Sequence, residues 1–230
     1  MIGIICAMNI EVEGLKALMD NPDVLKKAGL EFISGKINDK DVVLLECGIG
    51  KVNAAVGTQI MIDSFNPDVI INSGIAGSLS KDLIVGDIVI SSECVEHDMN
   101  LVALDEPRGQ IHFADETRID IPADKEIAEK LAECCQNLGS HVRIGRIATG
   151  DMFVSYIGQR EAIAYEFGAL CCEMEGAAVG HVCYMNKVPF AILRSISDDL
   201  KFNKGEDYEQ FSQLAADRSV KAMKKFIAMS

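Results

Sequence analysis

The chain has 230 residues, 49% of them hydrophobic, enough to bury one substantial core in a single domain spanning 1–230. Its 35 acidic and 22 basic residues give a formal charge of −13, and no lysine or arginine tract offers a stripe that tracks phosphates, which argues against nucleic acid as a partner. No apolar run is long enough to span a bilayer, and Met1 leads directly into Ile2-Gly3-Ile4-Ile5, so the expectation is a first strand rather than a signal peptide, in a cytoplasmic protein without a membrane partner.

Taken in chain order, apolar β-rich runs predict strands at 2–6, 42–47, 68–72, 86–91, 144–148, 169–172 and 189–196. Apolar residues at three- and four-residue spacing predict helices at 10–19, 52–65, 125–138, 177–185 and 211–227. Strand-then-helix alternation implies an α/β chain whose mostly parallel sheet is covered on both faces. The segment 100–122, with its charges, Pro107, Gly109 and Pro122, reads as a long excursion of the kind that often carries function.

Glycines gather where predicted strands end, in Gly48-Ile49-Gly50-Lys51, Gly74-Ile75-Ala76-Gly77-Ser78 and Gly150-Asp151-Met152-Phe153. Turns of this kind let backbone amides approach a ligand, although each alone also reads as a tight βα connection. Asn53 stands where a dinucleotide fingerprint needs its third glycine, and no Walker-type sequence occurs. The eight cysteines include no C-x-x-C pair, and His97, His112, His141 and His181 lack ligand spacing. Buried reduced thiols and no metal site are expected.

Two acidic clusters carry the chemistry: Cys172-Glu173-Met174-Glu175-Gly176 and Arg194-Ser195-Ile196-Ser197-Asp198-Asp199, each ending an apolar run. In an extended chain Glu173 and Glu175 point to one side and Met174 to the other. Ligands of open α/β sheets bind beyond the carboxyl ends of the strands, where both clusters are expected. Each cluster alone also reads as a helix cap or an ordered turn.

Read together, these segments closely resemble the nucleoside phosphorylase and nucleosidase superfamily, and within it the 5′-methylthioadenosine/S-adenosylhomocysteine nucleosidases. The resemblance rests on G-I-I-C-A-M-N-I-E at 3–11, C-G-I-G-K-V at 47–52, D-V-I-I-N-S-G-I-A-G-S-L at 68–79, V-G-D-I-V at 85–89, T-G-D-M-F-V at 149–154, E-M-E-G-A-A at 173–178 and R-S-I-S-D at 194–198. It implies a single-domain three-layer α/β/α fold with a mixed, mostly parallel central sheet. It also implies hydrolysis of the bond between adenine and a 5′-thioribose, with no cofactor.

By that resemblance Asp198 is the general acid toward adenine and Glu11 the base that activates water, while Glu175 engages the ribose and the water and Arg194 orients the carboxylates. Substrate contacts are implied from Ile49, Ala76, Gly77, Phe153, Val154, Glu173, Met174, Glu175, Ser197 and Tyr208, with 201–208 as a lid. The segment 97–104 resembles one that reaches a neighbouring subunit's pocket, so Leu104 is expected to act from the partner of a homodimer. Cys6 and Ile75 stand where close relatives often have glycine and serine, and Tyr208 replaces a frequent phenylalanine. An aspartate that holds its proton near neutral pH needs burial or like-charge neighbours, a part open to Asp199 and the two glutamates.

Three rivals follow from the same residues. A purine nucleoside phosphorylase needs a cationic or amide-rich phosphate cradle, but the early loop carries Glu11 and no arginine, leaving Lys51 as the nearby cation. A nucleosidase for aminodeoxyfutalosine or adenosine monophosphate would use the same carboxylates, the latter with positive charge near the 5′ end. A nucleoside-binding module would require neither acid nor base at the ligand.

Overall fold

The computed structural model describes residues 1–198 and 208–230, with side chains in the last helix described from 212. The chain runs β1 (Ile2–Cys6), α1 (Asn9–Lys16), β2 (Asp20–Lys27), β3 (Leu30–Ile37), β4 (Lys40–Glu46), α2 (Lys51–Phe65), β5 (Val69–Ser78) and β6 (Ile88–Glu96). It continues through β7 (Ile111–His112), β8 (Thr117–Arg118), β9 (Asp120–Pro122), α3 (Lys125–Gln136), β10 (Val142–Thr149), α4 (Ile157–Phe167), β11 (Cys171–Glu173), α5 (Gly176–Asn186), β12 (Phe190–Asp198) and α6 (Tyr208–Met229).

Among the described residues one sheet runs β11-β10-β6-β12-β5-β1-β4-β3-β2, and β7 with β8 forms a separate ribbon. The pairs β1–β4, β1–β5, β5–β12, β6–β10 and β10–β11 are parallel. Antiparallel β3–β4, β2–β3 and β6–β12 make the sheet mixed. Because β11 also pairs with the end of β5, five strands close on themselves and gather Glu173, Gly77 and Asp198 at one rim.

Period-2 alternation sets the layers. Ile4, Val42, Leu44, Ile71, Ala191 and Leu193 face the helices α1, α3 and α6, where they pack with Leu15, Leu131 and Phe226. Their neighbours Ile5, Val43, Leu45, Ile70 and Ile192 face α2 and α5, around Met61 and Val179. Both faces are buried, which explains why the strands read as continuous apolar runs. α4 closes a third, smaller cluster with Val95, Ala148 and Val154.

The structure departs from the sequence reading in three places. β2 and β3 were not expected in 20–37; β2 is exposed along its whole length, so its Asn-Pro-Asp-rich sequence carries no buried face to betray it. α4 was not expected either: its inward positions are Arg160, Ile163 and Phe167, and a charge at the first of them breaks the apolar spacing. The glycine-rich 74–78 is not a turn but the second half of β5. The glycines there serve close approach of side chains from other elements, as described below.

Candidate active site

Glu11 occupies the first turn of α1 and is 3% exposed. One carboxylate oxygen accepts from the amides of Ala7 and Met8, both at 3.0 Å, which is the capping role open to any acid at this position. The other oxygen leaves the helix and accepts from the Ile75 amide on β5 at 3.2 Å. Glu13, two residues on, points to solvent and pairs with Lys16 at 3.2 Å. A Cβ at Gly74 would lie 2.8 Å from Glu11 Oε1 and 3.3 Å from Arg194 Nη1, so a bare backbone at 74 lets these two side chains meet. Burial raises the Glu11 pKa, against the lowering effect of the Met8 amide and the Arg194 charge. A carboxylate that keeps its charge but binds a proton more tightly is a stronger base.

Arg194 is fully buried in the middle of β12. Its guanidinium donates to the Asn72 side chain at 2.5 Å and to Glu173, and lies 4.0 Å from Glu175. Burial alone would lower its pKa; the surrounding carboxylates of Glu173, Glu175 and Glu11 outweigh that and hold it charged. Asn72 in turn donates to the Ile5 carbonyl at 2.9 Å, so the guanidinium is fixed between β1, β5 and β12.

Glu173 and Glu175 converge on Arg194, but not by strand alternation. β11 ends at Glu173, and Glu175 is already the N-cap residue of α5. Glu173 performs the capping, accepting from the amides of Glu175 at 3.0 Å and Gly176 at 2.7 Å and from the Thr149 hydroxyl. That division leaves Glu175 without a capping duty, held by the Gly50 amide at 2.8 Å.

Burial, then the neighbouring Glu173, push the Glu175 carboxyl up to about 7, against Arg194 and the Gly50 amide. An unfolded chain releases this proton near 4.5, so the group's stabilisation is complete below that pH and is lost as pH rises through about 7. Glu175→Gln is therefore expected to melt higher than the parent at pH 8, by on the order of 1–3 kcal/mol, with the difference shrinking toward pH 5. Thermal unfolding at both pH values measures it; a parent as stable as the variant at pH 8 rejects the upward shift.

Asp198 ends β12 behind a bulge: Ile196 pairs with Ala76 and Asp198 with Gly77, leaving Ser197 as the extra residue. The buried Ser197 hydroxyl lies 3.0 Å from Asp198 Oδ1 and 3.3 Å from the Ala76 carbonyl. Where like charges were expected beside Asp198, the structure brings a cation, Arg160 of α4, onto Oδ2. Asp199 lies outside the described residues.

Of the other residues expected in the site, Ala76 and Val154 are buried, Met174 is half-buried, and Ile49 and Phe153 are exposed at 56% and 58%. Leu104, on a short 3-10 turn over Val102–Leu104, is 69% exposed and far from packed against its own chain, whereas His97 in the same segment is fully buried. The 201–207 stretch and the Tyr208 side chain lie outside the described residues, and with them the expected lid.

Lys51 Nζ pairs with Glu96 at 3.0 Å and Asp98 at 2.7 Å. Lys51, Arg160 and Arg194 thus each carry a carboxylate partner. Sequence reasoning missed Asn72, Thr149 and Arg160. The signal for the first two was present, as polar residues inside runs that are otherwise apolar.

The model of the Phosphorylase superfamily matches residues 1–228. The chain is 41% identical to a 5′-methylthioadenosine/S-adenosylhomocysteine nucleosidase of Oceanobacillus iheyensis over 215 residues, 93% of each chain. It is similar to the crystal structure of the Neisseria meningitidis 5′-methylthioadenosine/S-adenosylhomocysteine nucleosidase in complex with methylthio-immucillin-A, with a TM-score of 0.91 at 32% identity, covering 100% of this chain and 99% of that one. A futalosine hydrolase of Helicobacter pylori matches with a TM-score of 0.90 at 32% identity, over 100% of this chain and 97% of the other.

Proposed function

This chain belongs to the phosphorylase superfamily and, within it, to the 5′-methylthioadenosine/S-adenosylhomocysteine nucleosidases, and from that premise we infer the reaction and the residues that run it. The enzyme hydrolyses the N-glycosidic bond of 5′-methylthioadenosine and S-adenosylhomocysteine, giving adenine and the 5′-thioribose product. The observation that carries the assignment of residues is the separation of two carboxylate stations on β5: Glu11 with Arg194 at Gly74, and Asp198 at Gly77. In this reading the sugar lies toward Glu11 and Arg194 and the base toward Asp198.

In this reading Glu175 accepts hydrogen bonds from the ribose hydroxyls, and Glu11 takes the proton of a water that attacks the anomeric carbon. Asp198 gives its proton to the imidazole nitrogen of adenine, so that the electron pair of the breaking bond leaves on a neutral base. The carboxylates beside the ribose favour the positive charge that develops on the ring. Val154 reads the adenine edge through its backbone, and Phe153 and Met174 cover the base and sugar. Glu173 acts from behind Glu175, through Arg194.

Water rather than phosphate is the nucleophile. Among the described residues Lys51, Arg160 and Arg194 each have a carboxylate partner, and an anion placed at Glu11 would meet its charge. Purified, phosphate-free protein is expected to release adenine and free methylthioribose from methylthioadenosine. A strict phosphate requirement, with the sugar phosphate as product, would overturn the reading. The likeness to a futalosine hydrolase makes aminodeoxyfutalosine the second substrate for the same assay, since the carboxylates would serve it equally.

We further propose a cytoplasmic homodimer. Val102 and Leu104 expose 55% and 69% of their surface on one turn, apolar area that a second copy would cover while bringing Leu104 to its neighbour's 5′ pocket. Sizing under dilution, with activity followed in parallel, tests this; an active monomer at every concentration would refute it. Among the described residues no helix is long and apolar enough to cross a membrane.

A further inference from the structure

Arg160 projects from α4 into the protein on the same face as Ile163 and Phe167 and is 7% exposed. A charge there is costly unless its hydrogen bonds are well used. Its Nε donates to the Val154 carbonyl at 2.9 Å, and its Nη2 donates to Asp198 Oδ2. These two acceptors belong to the two groups that the proposed reaction sets against adenine: the backbone that reads the base edge and the carboxyl that protonates it. The fold makes room for the contact. The bulge at Ser197 brings Asp198 opposite Gly77, where a Cβ would lie 3.1 Å from Asp198 Oδ2 and 3.3 Å from Arg160 Nη2.

Resting on the assignment of Asp198 as the acid, we propose that Arg160 is the positioning residue of the leaving-group proton transfer: one guanidinium fork fixes the separation between the Val154 carbonyl and the Asp198 carboxyl. A base seated against residue 154 then presents its imidazole nitrogen to the acid. Arginine suits the task because its planar fork holds two acceptors at a set angle and it never gives up its own proton. The proton that moves is Asp198's: its O–H bond breaks, an N–H bond forms on adenine, and the carboxylate left behind faces the guanidinium. That charge-assisted contact strengthens as the transfer proceeds, so it favours the transition state over the bound substrate.

The test compares two substrates on the full-length protein: methylthioadenosine, and the methylthioribosyl ether of 4-nitrophenol, whose leaving group departs as a stable anion without protonation. Arg160→Gln and Arg160→Lys are expected to lose about 10- to 100-fold in kcat on the first substrate and less than about 3-fold on the second. The lysine variant keeps the charge and loses the fork, so its selective loss points to geometry. Thermal unfolding of each variant accompanies the kinetics, and Arg160→Lys, which keeps the charge and most of the volume, decides the matter if Arg160→Gln does not fold.

Equal losses on both substrates, or no loss on either, would overturn the proposal. Asp198→Asn run alongside separates the two levels of the argument. If it is selective and the others are not, only the role of Arg160 fails; if it is not selective, the acid assignment fails and takes this inference with it.

Discussion

Asp198→Asn is expected to lower turnover of methylthioadenosine by roughly 100-fold or more, the usual contribution of a positioned acid. The substitution is nearly isosteric. An asparagine can keep a hydrogen bond to the Ser197 hydroxyl, 3.0 Å from Oδ1 in the parent, and can turn its carbonyl toward Arg160. What it cannot do is deliver an acidic proton to the departing base. Binding relies on other groups, among them Glu175 and the backbone of Val154, so KM should move far less than kcat. Steady-state kinetics on purified, folded variant measures both, and near-normal turnover would reject Asp198 as the acid.

Glu11→Gln is expected to cost turnover on a similar scale, roughly 100-fold or more, because an amide cannot take a proton from water. This variant carries a second effect that the first does not. Both oxygens of Glu11 accept from backbone amides, Ala7 and Met8 on one and Ile75 on the other. In glutamine one of those positions becomes an NH2 facing an N–H donor, which leaves a buried donor unsatisfied and costs about 1–3 kcal/mol. Thermal unfolding must therefore accompany the kinetics. A variant that melts lower yet turns over normally would refute the base assignment while leaving the packing argument intact. The opposite charge effect works at Glu175, where removing a buried carboxyl with a raised pKa stabilises the protein at high pH at the expense of the site.

Asp198 was legible as a carboxylate closing an apolar run, whereas Glu11 stood out only through the family resemblance, because a first-turn carboxylate alone reads as a partner of the helix dipole. Glu11 follows a short apolar strand by a few residues and opens a helix, and Asp198 closes the apolar run of β12. A carboxylate that ends such a run interrupts a pattern, and interrupted patterns are legible. Arg160 is the contrary case. It sits in a helix whose buried positions are Arg160, Ile163 and Phe167, so neither a long apolar period nor a motif announced the helix or its charge. The edge strand β2 escaped for a related reason: a strand exposed along its length has no face on which hydrophobic alternation is required.

The sequence by itself determined the buried strands and most helices, because burial on both faces of the sheet demands apolar runs, and its motifs carried the family resemblance from which the catalytic carboxylates are proposed. It did not determine how those carboxylates divide their work. Glu173 and Glu175 were expected to share one side of a strand, yet β11 stops at Glu173, which caps α5 and pairs with Arg194, leaving Glu175 without a capping duty. The glycines at 74 and 77 looked like a turn, yet they lie within β5 and leave room for Glu11, Arg194, Asp198 and Arg160 to approach. Such choices depend on contacts between residues 20 to more than 100 positions apart, as in Arg194 with Asn72 and Gly50 with Glu175. Local propensity carries no information about them, and only the closing of the tertiary structure brings those partners within hydrogen-bonding distance.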